Sequence, residues 1–133
     1  MIKINKDSLS RFKKEIKDCF RETVDALDKA QDDLINDPWG FSDLGFTDQD
    51  IVDSGDLRDS KVVEIWEQQN DIEVTFSWNP VNPDTGRAYA GDVLTGFYSY
   101  SGKFVPGRDW PNRSEQNLDT VEHFKNVLRS HFE

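Results

Sequence analysis

One cysteine, Cys19, occurs in 133 residues. No internal disulfide can form, which points to a reducing compartment. No apolar run approaches the ~20 residues of a membrane span. The opening residues Met1-Ile2-Lys3-Ile4-Asn5-Lys6 carry no apolar core of the kind a signal peptide needs. Cations are scarce: 16 Lys and Arg stand against 26 Asp and Glu, a formal net charge of −10. Such a chain repels nucleic acid and suits an anionic membrane poorly, because neutralising phosphates takes clustered Lys and Arg. The only histidines, His123 and His131, sit too far apart on one predicted helix to share a metal, and read as solvated or capping residues. No glycine-rich phosphate loop is present, since Gly86, Gly91 and Gly96 do not lead from a strand into a long helix. Asp43, Asp48, Asp50 and Asp53 lack the Asp-x-Asp-x-Asp-Gly pattern and following Glu of a calcium loop. Among so many acids, carboxylate pairs are inevitable, and none stands out as a general acid–base pair. The expectation is a non-enzyme with no cofactor and no metal.

What is present is periodicity. The chain is 35% hydrophobic and 12% aromatic, enough for one domain over residues 1–133 with a modest core. Leu9, Phe12, Ile16, Cys19, Phe20, Val24, Leu27, Ala30 and Leu34 recur every three or four residues. They predict a long helix capped by Asp7, about 27 residues and roughly 40 Å in length. That exceeds the width of a small sheet, so part of the helix is expected to serve a neighbouring subunit. Cys19 falls on its apolar side as a small buried hydrophobe. Asp37-Pro38 ends the helix. Residues 36–50 then read as a loop holding Trp39, Phe41, Leu44 and Phe46, too aromatic to be left wet.

Residues 51–78 are the organising block. Asp53 or Ser54 caps a short helical turn containing Asp56 and Leu57. Val62, Val63, Ile65 and Trp66 then favour a half-buried strand. After a polar turn, Ile72-Glu73-Val74-Thr75-Phe76-Ser77-Trp78 alternates without a miss, with Ile72, Val74, Phe76 and Trp78 facing the core. Residues 79–86 form an irregular surface connection. Residues 89–96 offer a short strand or helix, and 97–105 a hairpin turning at Gly102. Trp110, between Asp109 and Pro111, anchors the chain before a last helix from Ser114 to about His131, capped by Ser114 or Asn112. Its apolar face is Leu118, Val121, Phe124, Val127, Leu128 and Phe132. The fold class expected is α+β, a central antiparallel β-sheet with the long N-terminal helix and the C-terminal helix packed against it.

Three elements in this order carry a resemblance. Asp53-Ser54-Gly55-Asp56-Leu57-Arg58-Asp59-Ser60 resembles a Thr-Gly-x-Leu-Arg-x-Ser element leading into a first strand, with Ser54 in the threonine's place. Tyr89-Ala90 with Val93 and Gly96 resembles Tyr-Ala-x-x-Val-x-x-Gly. Pro106-Gly107-Arg108-Asp109-Trp110-Pro111 resembles Pro-x-Arg-Pro-Phe before a closing helix. Together they are similar to the tail-completion and head–tail joining proteins, including tail terminators and minor tail proteins, of long-tailed bacteriophages. The resemblance marks Gly55, Leu57, Arg58, Ser60, Tyr89, Ala90, Arg108 and Trp110 as fold-motif residues. It implies a homo-oligomeric ring, of six copies, at the junction of tail tube and neck. Its partners would be the tail tube protein and head-completion or connector proteins. It would assemble in the host cytoplasm and reside in the virion, with DNA passing an acidic lumen without specific binding. Subunit contacts would then come from Trp39, Phe41 and Phe46, from Tyr98, Tyr100 and Phe104, and from the outer stripe of the first helix. Two other readings compete. One is an acidic DNA mimic inhibiting a host nucleic-acid-processing protein. The other is a small hydrolase with two acids ~5–9 Å apart in a pocket.

Overall fold

The computed structural model describes residues 6–46, 56–82, 84–99 and 101–132. The caps read at Asp53 and Ser54, and the positions Gly55 and Tyr100, lie outside the described residues. The chain is α+β, as expected. Helix α1 runs Lys6–Ile35, with Asp7 inside its first turn rather than capping it. A 3₁₀ turn (Ser42–Leu44) and a short helix α2 (Asp56–Asp59) follow. Strands β1 (Val62–Glu67) and β2 (Ile72–Ser77) come next, then helix α3 (Ala90–Thr95) and strands β3 (Gly96–Tyr98) and β4 (Phe104–Pro106). Helices α4 (Trp110–Leu118) and α5 (Thr120–Phe132) close the chain. The strands form two separate antiparallel pairs, β1–β2 and β3–β4.

At 30 residues, α1 is the longest element, and α4 and α5 pack along it. Its fully buried side chains, Cys19, Thr23, Val24, Leu27, Gln31, Leu34 and Ile35, all belong to its last two thirds. Leu9 and Phe12, nearer its start, stay exposed, and Phe12 meets the Phe132 ring at 5.4 Å. The first turns thus extend past the core.

Hairpin β1–β2 is fastened to α1 by cations. Lys17 donates to the Gln68 carbonyl (2.6 Å) and pairs with Glu67 (3.1 Å), and Arg21 also reaches Glu67. At the other end Lys61, with a side chain only 8% exposed, lies 5.3 Å from the Phe76 ring centre and 5.6 Å from that of Trp78. It contacts Asp28 and bonds to Asp32 (3.1 Å). In β2, Ile72, Val74 and Phe76 are half-buried and Glu73, Thr75 and Ser77 exposed, the alternation expected. Strand β1 departs from expectation. All six of its residues are exposed, and among the described residues it has no strand neighbour beyond β2.

The last helix also differs from expectation. It begins at Trp110, where the Asp109 carboxylate accepts from the Asn112 backbone N–H (3.1 Å) and Pro111 occupies the first turn. Neither Ser114 nor Asn112 is the cap. The helix then breaks at Asp119, whose φ of 53° is left-handed, and resumes as α5. No α5 residue is fully buried, and Val121 is 67% exposed.

Candidate functional site

The three sequence elements converge. Leu57 from α2, Trp110 at the start of α4, and Leu34, Ile35 and Phe41 form one buried cluster. Ala90, Val93 and Leu94 of α3 pack against it, with Phe46 and Trp78. The Ser60 hydroxyl donates to the Leu57 carbonyl (2.8 Å), closing the end of α2 before β1 begins. Arg58 reaches Asn36 just past α1 (3.3 Å). Tyr89 precedes α3, and its N–H donates to the Pro80 carbonyl (3.3 Å). The second and third elements touch directly. The Arg108 N–H donates to the Val93 carbonyl (2.8 Å). Gly96, at φ 98°, and Gly107 lie backbone to backbone. A Cβ on Gly107 would sit 2.4 Å from the Leu94 carbonyl oxygen, and one on Gly96 would sit 2.9 Å from the Gly107 nitrogen. Two glycines permit this approach and no other residue does.

Arg108 lies 4.3 Å from the Phe46 ring centre, and burial lowers its guanidinium pKa from the ordinary value. Trp78 and Trp110 meet edge to face with ring centres 5.5 Å apart, and both indole N–H groups and Arg108 Nε are buried without an acceptor among the described residues. Arg113, which the sequence did not single out, clamps the aromatic loop. It donates to both Asp43 carboxylate oxygens (2.6 and 3.0 Å) and to the Gly40 carbonyl (2.9 Å), and covers the Phe41 ring at 4.3 Å. The Arg113 hydrogen bonds hold Asp43 below the usual carboxylate range.

The expected contact residues divide. Trp39 is exposed, as are Tyr98 and Phe104, which pair with each other at 5.2 Å across β3–β4. Phe41 is 1% exposed and belongs to the chain's own core, so it offers no subunit contact. Phe46 is half-buried under Arg108. The larger exposed surface lies on β1. Val62, Val63, Ile65 and Trp66 are 39–50% exposed on a strand that pairs only with β2 among the described residues. The signal for it, a β-branched and aromatic run, was visible; its exposure was not.

Chemistry finds little purchase elsewhere. Cys19 is fully buried, and burial first, then Glu15, Glu22 and Asp18, raise its thiol pKa. His131 lies between Glu15 (3.0 Å from Nδ1) and Glu22 (2.9 Å from Nε2), and these bonds raise its pKa. No group of three or more His, Cys, Asp or Glu among the described residues is placed to hold a metal. No described helix is long and apolar enough to cross a membrane. No family model, curated protein or solved structure matches the chain.

Proposed function

We propose that this chain is a structural subunit of a tailed-bacteriophage virion, a ring component at the neck that completes or terminates the tail tube and joins it to the head. The observation that carries the reading is the unfinished hairpin. Strand β1 presents four large apolar side chains that are exposed, and among the described residues its outer backbone edge is unpaired. A strand of that kind is a template for another chain. Convergence of Leu57, Ala90, Val93, Arg108 and Trp110 on one core supports the family resemblance, because the three elements act as one packing unit. Exposed Trp39, and separately the exposed Tyr98–Phe104 ring pair, supply further contact candidates. A head-to-tail contact that closes on itself gives a ring. Six copies at −10 each would give a lumen that repels duplex DNA and lets it slide. The tail tube protein and a connector protein are the partners on either side.

Light scattering behind size exclusion, with negative-stain electron microscopy, tests this. The wild type is expected to reach a closed species near six times the 15.4 kDa chain as concentration rises or tail tube protein is added. The I65K/W66E variant should keep its circular dichroism spectrum and stay monomeric. Virions made without the protein should appear as free heads and unjoined or overlong tails. Normal infectious particles in its absence would end the reading.

A further inference from the structure

Four cations gather on one stripe of an otherwise acidic molecule. Lys13, Lys17 and Arg21 recur every four residues along α1, with Lys14 beside them. Where the β1–β2 turn crosses this stripe it leaves a cleft of about 260 Å³, lined by Ser10, the four cations, Glu67 and Gln69. The charges in it do not cancel. Glu67 is shared by Lys17 and Arg21, and Asp18 takes a second Arg21 bond at 3.2 Å. Among the described residues Lys13 is held only by the neutral Asn70 side-chain oxygen (2.9 Å), and Lys14 has no hydrogen-bond or ion-pair partner. Two carboxylates therefore face four cations. The wall is also fixed in place, because Lys17, with a side chain 14% exposed, is bonded to two turn carbonyls and to Glu67.

We propose that this cleft binds a compact oxyanion of the phosphate class, free or carried on a small ester. Lys13 and Lys14 supply uncompensated charge at contact distance, and the Ser10 hydroxyl and Gln69 amide supply neutral donors. The volume falls below the ~300–1,000 Å³ of pockets for drug-sized ligands, which suits a small ion. Charge decides against a long polyanion. Duplex DNA would feel the net −10 of the whole chain, whereas a small anion feels chiefly what lies within the ~8 Å screening length. Of β1 the cleft takes only the terminal Glu67 and none of the exposed Val62, Val63, Ile65 and Trp66, so ring assembly and anion binding are tested at different side chains.

Thermal unfolding of the full chain in sodium phosphate, against sodium chloride at equal ionic strength, tests the site, alongside amide NMR shifts. A saturable rise in Tm of a few degrees is expected, with shifts centred on residues 10–21 and 67–70. Lys14→Ala, which removes an exposed side chain, should weaken phosphate about tenfold, and K13A/K14A should abolish the response. Glycerol phosphate binding at least as tightly as inorganic phosphate would mark an ester as the natural source; weaker binding would mark the free ion. Identical unfolding in the two salts overturns the proposal. So does an undiminished response in K13A/K14A, or tighter binding of a short DNA duplex than of phosphate.

Discussion

At Gly107 the α3–β3 junction and the β4–α4 connection come within backbone contact. A methyl group there meets the Leu94 carbonyl oxygen and the Thr95 backbone, none of which is a flexible side-chain tip. Gly107→Ala should therefore cost about 2–4 kcal/mol in urea unfolding, whereas Gly91→Ala, open on all sides, should change little. His131 is the other residue whose surroundings make a measurable demand. With a carboxylate against each ring nitrogen, both nitrogens must donate, so the clamp exists only as the imidazolium. Its folded pKa is raised above the ordinary ~6.5. The stability it contributes is thus fully present below about pH 6.5 and lost as pH rises through the raised value. Chemical denaturation of wild type and His131→Gln should show a gap at pH 6 that closes towards pH 9; a gap that widens with pH would refute the clamp. Nothing near His131 in sequence announced this, because Glu15 and Glu22 are 116 and 109 positions away. Arg113 was equally silent, since its partner Asp43 lies 70 positions off. Trp110, by contrast, was legible: a tryptophan wedged between Asp109 and Pro111 has one economical use, and it is buried.

Local pattern specified most elements. The 3.6-residue stripe of α1, the period-two alternation of β2 and the Gly102 turn each state their structure within a few residues, and each formed. Failures occurred where the deciding interaction was distant or conformationally unusual. β1 reads as half-buried by residue type, but burial needs a second layer, and all six β1 residues are exposed. The closing helix reads as continuous, yet Asp119 turns left-handed and splits it into α4 and α5. That conformation disfavours a side chain, so Asp119→Gly should stabilise the chain by about 0.5–1 kcal/mol. A loss of stability would mean that the aspartate side chain matters more than the strain. Lys61 shows how one element is held to another. It is nearly buried, contacts the carboxylates of Asp28 and Asp32, and lies over two rings. Lys61→Ala should cost about 2 kcal/mol, and Lys61→Met, which keeps the apolar stem, should recover part of that. Hydrogen exchange would report the loss first in β2.

As a whole the molecule buries little for its length. Its core gathers at the C-terminal end of α1, while the start of α1, strand β1 and Val121 of α5 are exposed. A design of this kind gains stability from neighbours. The melting temperature should accordingly rise with protein concentration, and the I65K/W66E variant should lose that dependence while unfolding at the same temperature as dilute wild type. A concentration-independent wild type would argue for a finished monomer.

The four tryptophans sort themselves by this architecture. Trp110 is buried and Trp78 half-buried beside it, whereas Trp39 and Trp66 are exposed on different candidate contact elements. Their emission therefore separates two events that scattering merges. Unfolding should red-shift the buried pair. Assembly should blue-shift the exposed pair and shield it from acrylamide, without disturbing the other two. Single Trp66→Phe and Trp39→Phe variants would then tell which surface closes first.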